Sequence, residues 1–91
     1  MNRQELAADR GMIFPQDQPR VTSFWMKNTY IPLDLIFVRT DGTIANIAEN
    51  AVPMSLEWIW SDGEVGAVLE ISGGKSAELG IGPGDKVEWG K

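Results

Sequence analysis

Residues 24–34, with the sequence FWMKNTYIPLD, bring together an unusual set of chemically capable side chains. They combine apolar anchors with one ammonium, one amide, one phenol and one carboxylate. Strand alternation puts Phe24 and Met26 on one side of such a segment. Trp25 and Lys27 then share the other side, so we expect the Lys27 ammonium to lie along an indole face. This arrangement predicts either a cation–π support or a binding surface.

Two interpretations of Asp34, the carboxylate of this segment, stay open. A carboxylate in an otherwise apolar strand needs a partner if it is buried. Lys27 and Asp34 could therefore form an ion pair whose only role is to hold the loop in place. Alternatively, Asp34 belongs to a binding cleft for a small polar or saccharide ligand. The residues of this candidate cleft are Trp25, Lys27, Asn28, Tyr30, Asp34 and Glu70.

Glu70 is a second carboxylate in an apolar setting, between Leu69 and Ile71. Two carboxylates in unlike environments are typical of acid–base catalysis, and of glycoside hydrolysis in particular. Asp34 and Glu70 therefore raise the hypothesis of a hydrolase, although their spacing in sequence assigns no catalytic residue. The simpler interpretation places Glu70 on an edge strand, facing solvent. Taken together, these residues favour binding over catalysis.

Residues 54–60, MSLEWIW, form a second aromatic segment, for which a helical turn and an irregular apolar loop both stay open. Trp58 and Trp60 lie on the same side if the segment is extended. Such a pair could form a saccharide platform or bind a protein partner. Packing in the core is the simpler interpretation, because a tryptophan side chain carries a large apolar area.

Composition excludes several classes of chemistry. The 91 residues contain no cysteine and no histidine, which removes thiolate chemistry, the usual general base near neutral pH and the commonest transition-metal ligands. We expect no cofactor and no metal site. The formal net charge of −5 argues against nucleic acid as a partner. No apolar stretch approaches the roughly 20 residues of a membrane span, and residues 1–11 lack the apolar core of a signal peptide.

The pattern of apolar residues and turn signals predicts one domain over residues 1–91, mainly β, with an antiparallel sandwich or barrel architecture. A capping box predicts a short helix over residues 1–11, and Asp41-Gly42 predicts a two-residue type I′ hairpin. Residues 15–20, PQDQPR, predict an exposed loop. A helical turn is expected near residues 74–79, closed by Gly80. The predicted strands are residues 12–14, 21–26, 33–39, 43–49, 64–71 and 86–89.

Several motifs together resemble one family, domain-of-unknown-function family 192, also known as uncharacterised protein family 0127. They are GMIF at residues 11–14, FWMKNTYIPLDLIFV at 24–38, DGTI at 41–44, VLEI at 68–71 and LGIGPGD at 79–85. The resemblance implies a β-sandwich or barrel found in bacteria and archaea, without an established activity. It also implies frequent export behind a signal peptide or lipoprotein anchor. We therefore expect an exported or periplasmic protein, although residues 1–91 contain no signal segment.

The chain departs from the family pattern in two places. Members usually have one or two strands before the residue equivalent to Met1, so this chain is expected to start inside the family domain. Two interpretations stay open: either a disordered or cleaved segment precedes Met1, or the fold has an unfilled sheet edge that a neighbour covers. Residues 54–64 are rich in tryptophan, where the family more often has a shorter polar loop. That loop is expected to be particular to this protein.

Three functions are consistent with the sequence. The first is a binding module of the cell envelope that uses the candidate cleft. The second is a structural domain, or one that binds a protein partner or a second copy of itself, through Trp58 and Trp60. The third is a hydrolase that uses Asp34 and Glu70.

Overall fold

A computed structural model describes residues 11–87, which form a mainly β, antiparallel structure with one short helix. Its elements are β1 (Gly11–Arg20), β2 (Ser23–Phe24), β3 (Leu33–Val38), β4 (Ile44–Ala51), β5 (Ile59–Trp60), β6 (Val65–Ser72) and α1 (Lys75–Leu79). Four strands make one sheet in the order β1-β6-β3-β4, and β2 pairs with β5 in a separate two-stranded ribbon. The helix predicted for residues 1–11 lies outside the described residues, except that Gly11 begins β1.

Strand β3 is buried along its whole length because both faces of the sheet are covered. Its odd-numbered residues, Leu33, Leu35 and Phe37, belong to a cluster that includes Met26 and the partly buried Phe24. We call this side of the sheet the ribbon-side face. The alternate residues of β3, Asp34, Ile36 and Val38, point to the opposite side, where Ile71, Ile81 and Val87 pack. We call that side the helix-side face.

The hairpin between β3 and β4 forms where Asp41-Gly42 predicts it, but with a different turn. Gly42 has a positive φ of 91° and Asp41 does not. The Gly42 N–H donates to the Arg39 carbonyl at 2.9 Å, and the Arg39 N–H donates to the Thr43 carbonyl at 2.8 Å. The connection therefore has three residues, with the glycine in the left-handed position, and the predicted type I′ turn is wrong. The Asp41 carboxylate supports it by accepting from the Thr43 N–H and hydroxyl.

The loop predicted for residues 15–20 is instead the continuation of β1. Pro15 pairs with Ala67 and Arg20 with Val65, so the longer stretch of β1 bulges away from the shorter stretch of β6. Prolines are tolerated here because β1 is an edge strand, whose outward side needs no amide donors. The prediction of exposure was right, since only Gln16 of these residues is partly buried.

The remaining elements follow the sequence signals to different degrees. The helical turn is α1, which begins after Gly74 and ends at Gly80, whose φ is 72°. Only Ser23–Phe24 of the strand predicted over residues 21–26 pairs as a strand. Residues 52–58 are irregular and lead into β5. Within residues 11–87, the predicted last strand is represented by one bridge between Thr43 and Lys86.

Candidate functional site

The two carboxylates of the hydrolase hypothesis lie on opposite faces of the sheet. Residues directly opposite each other in neighbouring strands share a face. Asp34 is opposite Ile71 on the helix-side face, whereas Glu70 is opposite Leu35 on the ribbon-side face. Both carboxylates are fully buried. A two-carboxylate mechanism needs both groups to flank one scissile bond, so this geometry excludes it for Asp34 and Glu70. The placement of Glu70 on an edge strand facing solvent is also wrong.

The Asp34 carboxylate accepts four hydrogen bonds from three residues in two separate parts of the chain. One oxygen, Oδ1, accepts from the backbone N–H groups of Asn50 at 2.8 Å and Gly74 at 3.0 Å. The other, Oδ2, accepts from the N–H of Ser76 at 2.8 Å and from its hydroxyl at 2.6 Å. Lys27 is not among these donors, so the interpretation of Asp34 and Lys27 as an ion pair is wrong. We call this arrangement the Asp34 cradle.

The cradle keeps the buried carboxylate ionised. Burial is the largest single influence and raises the pKa of Asp34 by removing water from the charged form. The hydrogen bonds from Ser76, Asn50 and Gly74 act in the opposite direction and together outweigh it. The pKa of Asp34 therefore lies below its ordinary value of 3.8. A carboxylate with its acceptor positions filled by the protein is suited to holding chain segments together rather than to binding a ligand.

Three tryptophans, Trp25, Trp58 and Trp60, lie in or next to the ribbon of β2 and β5. Ser23 pairs with Trp60 and Phe24 with Ile59, so the next facing pair along the ribbon is Trp25 and Trp58. Their rings are stacked, with centroids 4.3 Å apart and planes only 5° from parallel. Neither the sequence spacing nor strand alternation within one segment indicates this contact, because it joins the two aromatic segments across the ribbon.

The ribbon has one side that packs and one that faces solvent. Phe24, Met26 and Ile59 pack against the ribbon-side face of the sheet. On the outer side, the Nζ of Lys27 lies over the ring of Trp25, 5.2 Å from its centroid. The predicted division of these residues between two sides, with Lys27 along an indole, is therefore confirmed. We call the outer side, formed by Trp25, Lys27, Trp58 and Trp60, the aromatic face.

The irregular segment that leads into β5 exposes several large apolar side chains. Its even-numbered positions are apolar and exposed, and Trp58 and Trp60 are 52% and 58% exposed. The interpretation of these two tryptophans as core residues is therefore wrong. We call the whole set the exposed apolar row. Its members are Val52, Met54, Leu56, Trp58 and Trp60.

Backbone hydrogen bonds attach the row to the turn that follows β2. The Met26 N–H donates to the Ser55 carbonyl at 3.2 Å, and the Met54 N–H donates to the Thr29 carbonyl at 2.9 Å. The turn includes Asn28, whose φ of 61° is one that asparagine tolerates better than most residues. Residues 24–34 and 52–60 are thus one structural unit. Tyr30 lies at its surface, about half exposed.

Asn46 of β4 connects the ribbon to the edge of the main sheet. Its amide N–H donates to the Trp60 carbonyl at 3.1 Å, and its amide oxygen accepts from the Asp62 N–H at 2.8 Å. A single side chain therefore takes the place of a ladder of backbone bonds between β4 and β5. No signal in the sequence identifies Asn46, because its partners are 14 and 16 residues away along the chain.

Replacing Asn46 by alanine is expected to lower the free energy of unfolding by about 1 kcal/mol, since two partly exposed hydrogen bonds are lost. The tryptophan emission should also change, because Trp60 is released from the sheet edge. Urea unfolding followed by fluorescence measures both effects. Gln18→Ala, on an exposed part of β1, is the control and should stay within about 0.5 kcal/mol of the unchanged protein. Equal stability of the two variants would contradict the role given to Asn46.

The residues of the candidate cleft do not all lie together, a point that the sequence leaves open. Lys27 and Asn28 are exposed on the ribbon and its turn, and Tyr30 is nearby in sequence. Asp34 points to the other face of the sheet, and Glu70 is buried beneath the ribbon side. In residues 11–87, no group of three or more acidic side chains is placed to hold a metal ion. No helix in this part of the chain is long and apolar enough to cross a membrane.

The fold and the site define a small antiparallel β domain that presents an aromatic face. The chain belongs to the DUF192 family, described as uncharacterized ACR, which it matches over residues 1–89. The family resemblance found in the sequence is therefore confirmed. A comparison with curated proteins finds no match.

Two solved structures share this fold over nearly the whole chain. A protein of unknown function from Novosphingobium aromaticivorans DSM 12444 is 54% identical, with a TM-score of 0.94 over 98% of this chain. The chain spans 64% of the length of that protein. A protein from Sinorhizobium meliloti 1021, provisionally described as a transcription regulator, is 48% identical, with a TM-score of 0.92. That match covers 97% of this chain and 68% of the other.

Proposed function

We propose that this domain is a protein-binding module whose binding surface is the aromatic face together with the exposed apolar row. The observation that carries the proposal is that every even-numbered side chain of residues 52–60 is large, apolar and exposed. Single exposed apolar residues are ordinary, but five within nine residues are typical of a surface that another molecule covers. Tryptophan is also the residue type most enriched among those that dominate binding energy.

The backbone contacts of this surface also support a binding role. The row is hydrogen-bonded to Thr29 and Met26, and Asn46 holds the end that carries Trp60. A surface that is held in place before binding loses less conformational entropy when a partner docks. The stack of Trp25 on Trp58 adds to this effect, because each ring restricts the other.

A saccharide ligand fits the same surface less well. Sugar sites combine a flat aromatic ring with several polar groups that fix the hydroxyls, and the carboxylates of Asp34 and Glu70 are buried elsewhere. Val52, Met54 and Leu56 would add apolar area without a use for a polar ligand. A protein segment, in contrast, can cover the row and the aromatic face together. Because the family resemblance implies frequent export, the partner that we propose is a protein of the cell envelope.

The test is a selection of displayed random peptides on the folded domain, with counter-selection on the double variant Trp58→Ala/Trp60→Ala. Peptides that require the surface should bind the double variant at least about tenfold more weakly, as expected when hot-spot side chains are removed. Leu79→Ala, which removes an exposed apolar side chain of α1, is the matched control and should bind like the unchanged domain. Leu56→Lys adds a variant that alters the surface without touching the tryptophan stack.

Three further results bear on this proposal. Peptides that bind all four proteins equally, or no enriched peptide at all, would contradict it. A saccharide array that gives binding dependent on Trp58 would replace the protein partner by a sugar. Sedimentation that shows a dimer, lost in Leu56→Lys, would identify the partner as a second copy of the chain.

A further inference from the structure

Acidic residues flank the exposed apolar row in sequence, and one lies within it. Glu57 lies inside the exposed apolar row, between Leu56 and Trp58, and is itself exposed. Glu49 precedes the row and Asp62 follows it, and both are exposed. Within the described residues, the Glu57 carboxylate forms no ion pair, and the only hydrogen bond of this residue is from its backbone N–H to the Ser55 hydroxyl.

The cations of residues 11–87 contact other groups, and the Nη1 of Arg39, for example, donates to the Ile44 carbonyl at 3.5 Å. Lys75 forms an ion pair with Glu78 at 2.7 Å, and Lys86 donates to the Asp41 carbonyl at 3.2 Å. Arg20 donates to the Gln16 side chain at 2.8 Å. Lys27 lies on the surface itself, over the ring of Trp25. Within residues 11–87, no ion pair engages Glu49, Glu57 or Asp62, which leaves these exposed carboxylates to a cationic partner.

From these contacts we infer that the partner presents a cationic apolar segment, in which lysine or arginine residues alternate with large apolar side chains. This inference rests on the proposed function and specifies the chemistry of its partner. The apolar side chains cover the exposed apolar row, and the cations lie opposite Glu57, Glu49 and Asp62. Charges at the edge of an interface mainly determine which partner is accepted and how fast it associates. The formal net charge of −5 also attracts a cationic partner, and it does so at longer range.

The experiment compares two synthetic peptides with the same apolar residues, one with lysine and arginine at the intervening positions and the other with aspartate and glutamate. Binding to the folded domain is followed by tryptophan fluorescence in low and high salt. The cationic peptide should bind at least about tenfold more tightly in low salt, and the difference should shrink when salt screens the charges. Both peptides should lose affinity in Trp58→Ala/Trp60→Ala.

Variants with equal changes in charge separate the inference from nonspecific attraction to an acidic protein. Glu57→Gln should lower the affinity for the cationic peptide about threefold or more, because a charge next to the interface acts more strongly than a distant one. Asp17→Asn makes the same change of charge on β1 and should leave the affinity unchanged.

The outcomes distinguish the inference from the function on which it rests. If both peptides bind equally, if the acidic peptide binds better, or if Glu57→Gln and Asp17→Asn have equal effects, the inference is overturned while a partner surface remains. If neither peptide binds and no selected peptide depends on Trp58 and Trp60, the proposed function is overturned together with the inference.

Discussion

Replacing Asp34 by asparagine is expected to lower the free energy of unfolding by about 3 kcal/mol, because the substitution leaves buried N–H donors facing an amide instead of a carboxylate. The four donors of the Asp34 cradle all point at two oxygens. An asparagine supplies one oxygen and one NH₂ group, so at least two of those donors lose their acceptor. The expected loss in the free energy of unfolding is large because the hydrogen bonds that disappear involve a charged group at a fully buried position.

Urea unfolding of the variant measures this loss. Asp17→Asn makes the same chemical change at an exposed position and should stay within about 0.5 kcal/mol of the unchanged protein. Ser76→Ala removes only the hydroxyl donor, so it should cost about 1 kcal/mol. A loss of stability for Asp34→Asn no larger than for Asp17→Asn would show that the cradle does not hold the fold.

The same carboxylate gives stability a defined dependence on pH. Because the pKa of Asp34 is lower in the folded chain than its ordinary value of 3.8, the unfolded chain binds the proton first as pH falls. The contribution of Asp34 is therefore complete above pH 3.8 and is lost as pH falls through the lower folded pKa. Asp34→Asn lacks this ionisation, so its free energy of unfolding should fall less steeply in that range. Equal slopes for the two proteins would contradict the linkage.

Gly73→Ala is expected to lower the free energy of unfolding by about 2 kcal/mol, because the added methyl group has no space. A Cβ at Gly73 would lie 2.6 Å from the Oδ1 of Asn50, 3.0 Å from the Cβ of Pro32 and 3.2 Å from the Pro32 carbonyl carbon. The last contact is with backbone, which cannot move alone, since the Gly73 N–H also donates to the Pro32 carbonyl. The φ of Gly73 is not positive, so the effect is one of space alone.

Gly82→Ala is the matched control for this substitution. Its φ is not positive either, and an added Cβ would meet nothing within 4 Å. Alanine at such a position reduces the freedom of the unfolded chain, so the variant should be unchanged or more stable by up to about 1 kcal/mol. Equal changes in the free energy of unfolding for the two variants would mean that the residues around Gly73 adjust to the methyl group without a loss of stability.

The parts of the fold that the sequence predicts are those set by neighbouring residues. The strand predicted over residues 33–39 is β3 (Leu33–Val38), because a run of apolar residues suits a strand covered on both faces. Gly80 ends α1 because glycine adopts a positive φ without strain. The sides of Trp25 and Lys27 follow from alternation within one strand. Each of these features can be predicted without knowledge of the rest of the chain.

The parts that could not be predicted depend on partners far away in sequence. The donors to Asp34 are 16, 40 and 42 residues distant, and none of them has a side-chain pattern that marks it. A strand that continues through Pro15 could be predicted only by knowing that β1 lies at a sheet edge. Trp58 and Trp60 are exposed because Phe24 and Ile59 already occupy the packed side of the ribbon, which only the pairing of β2 with β5 reveals.

The attachment of residues 52–60 at both ends has a consequence for engineering. The Asn50 N–H is bonded to Asp34 before the segment, and the Ser61 N–H is bonded to the Thr22 carbonyl after it. The side chains between these anchors point mainly to solvent, so new sequences could be grafted there without redesigning the core. The domain would then serve as a scaffold for displaying peptides, with libraries built at the five exposed apolar positions of the row.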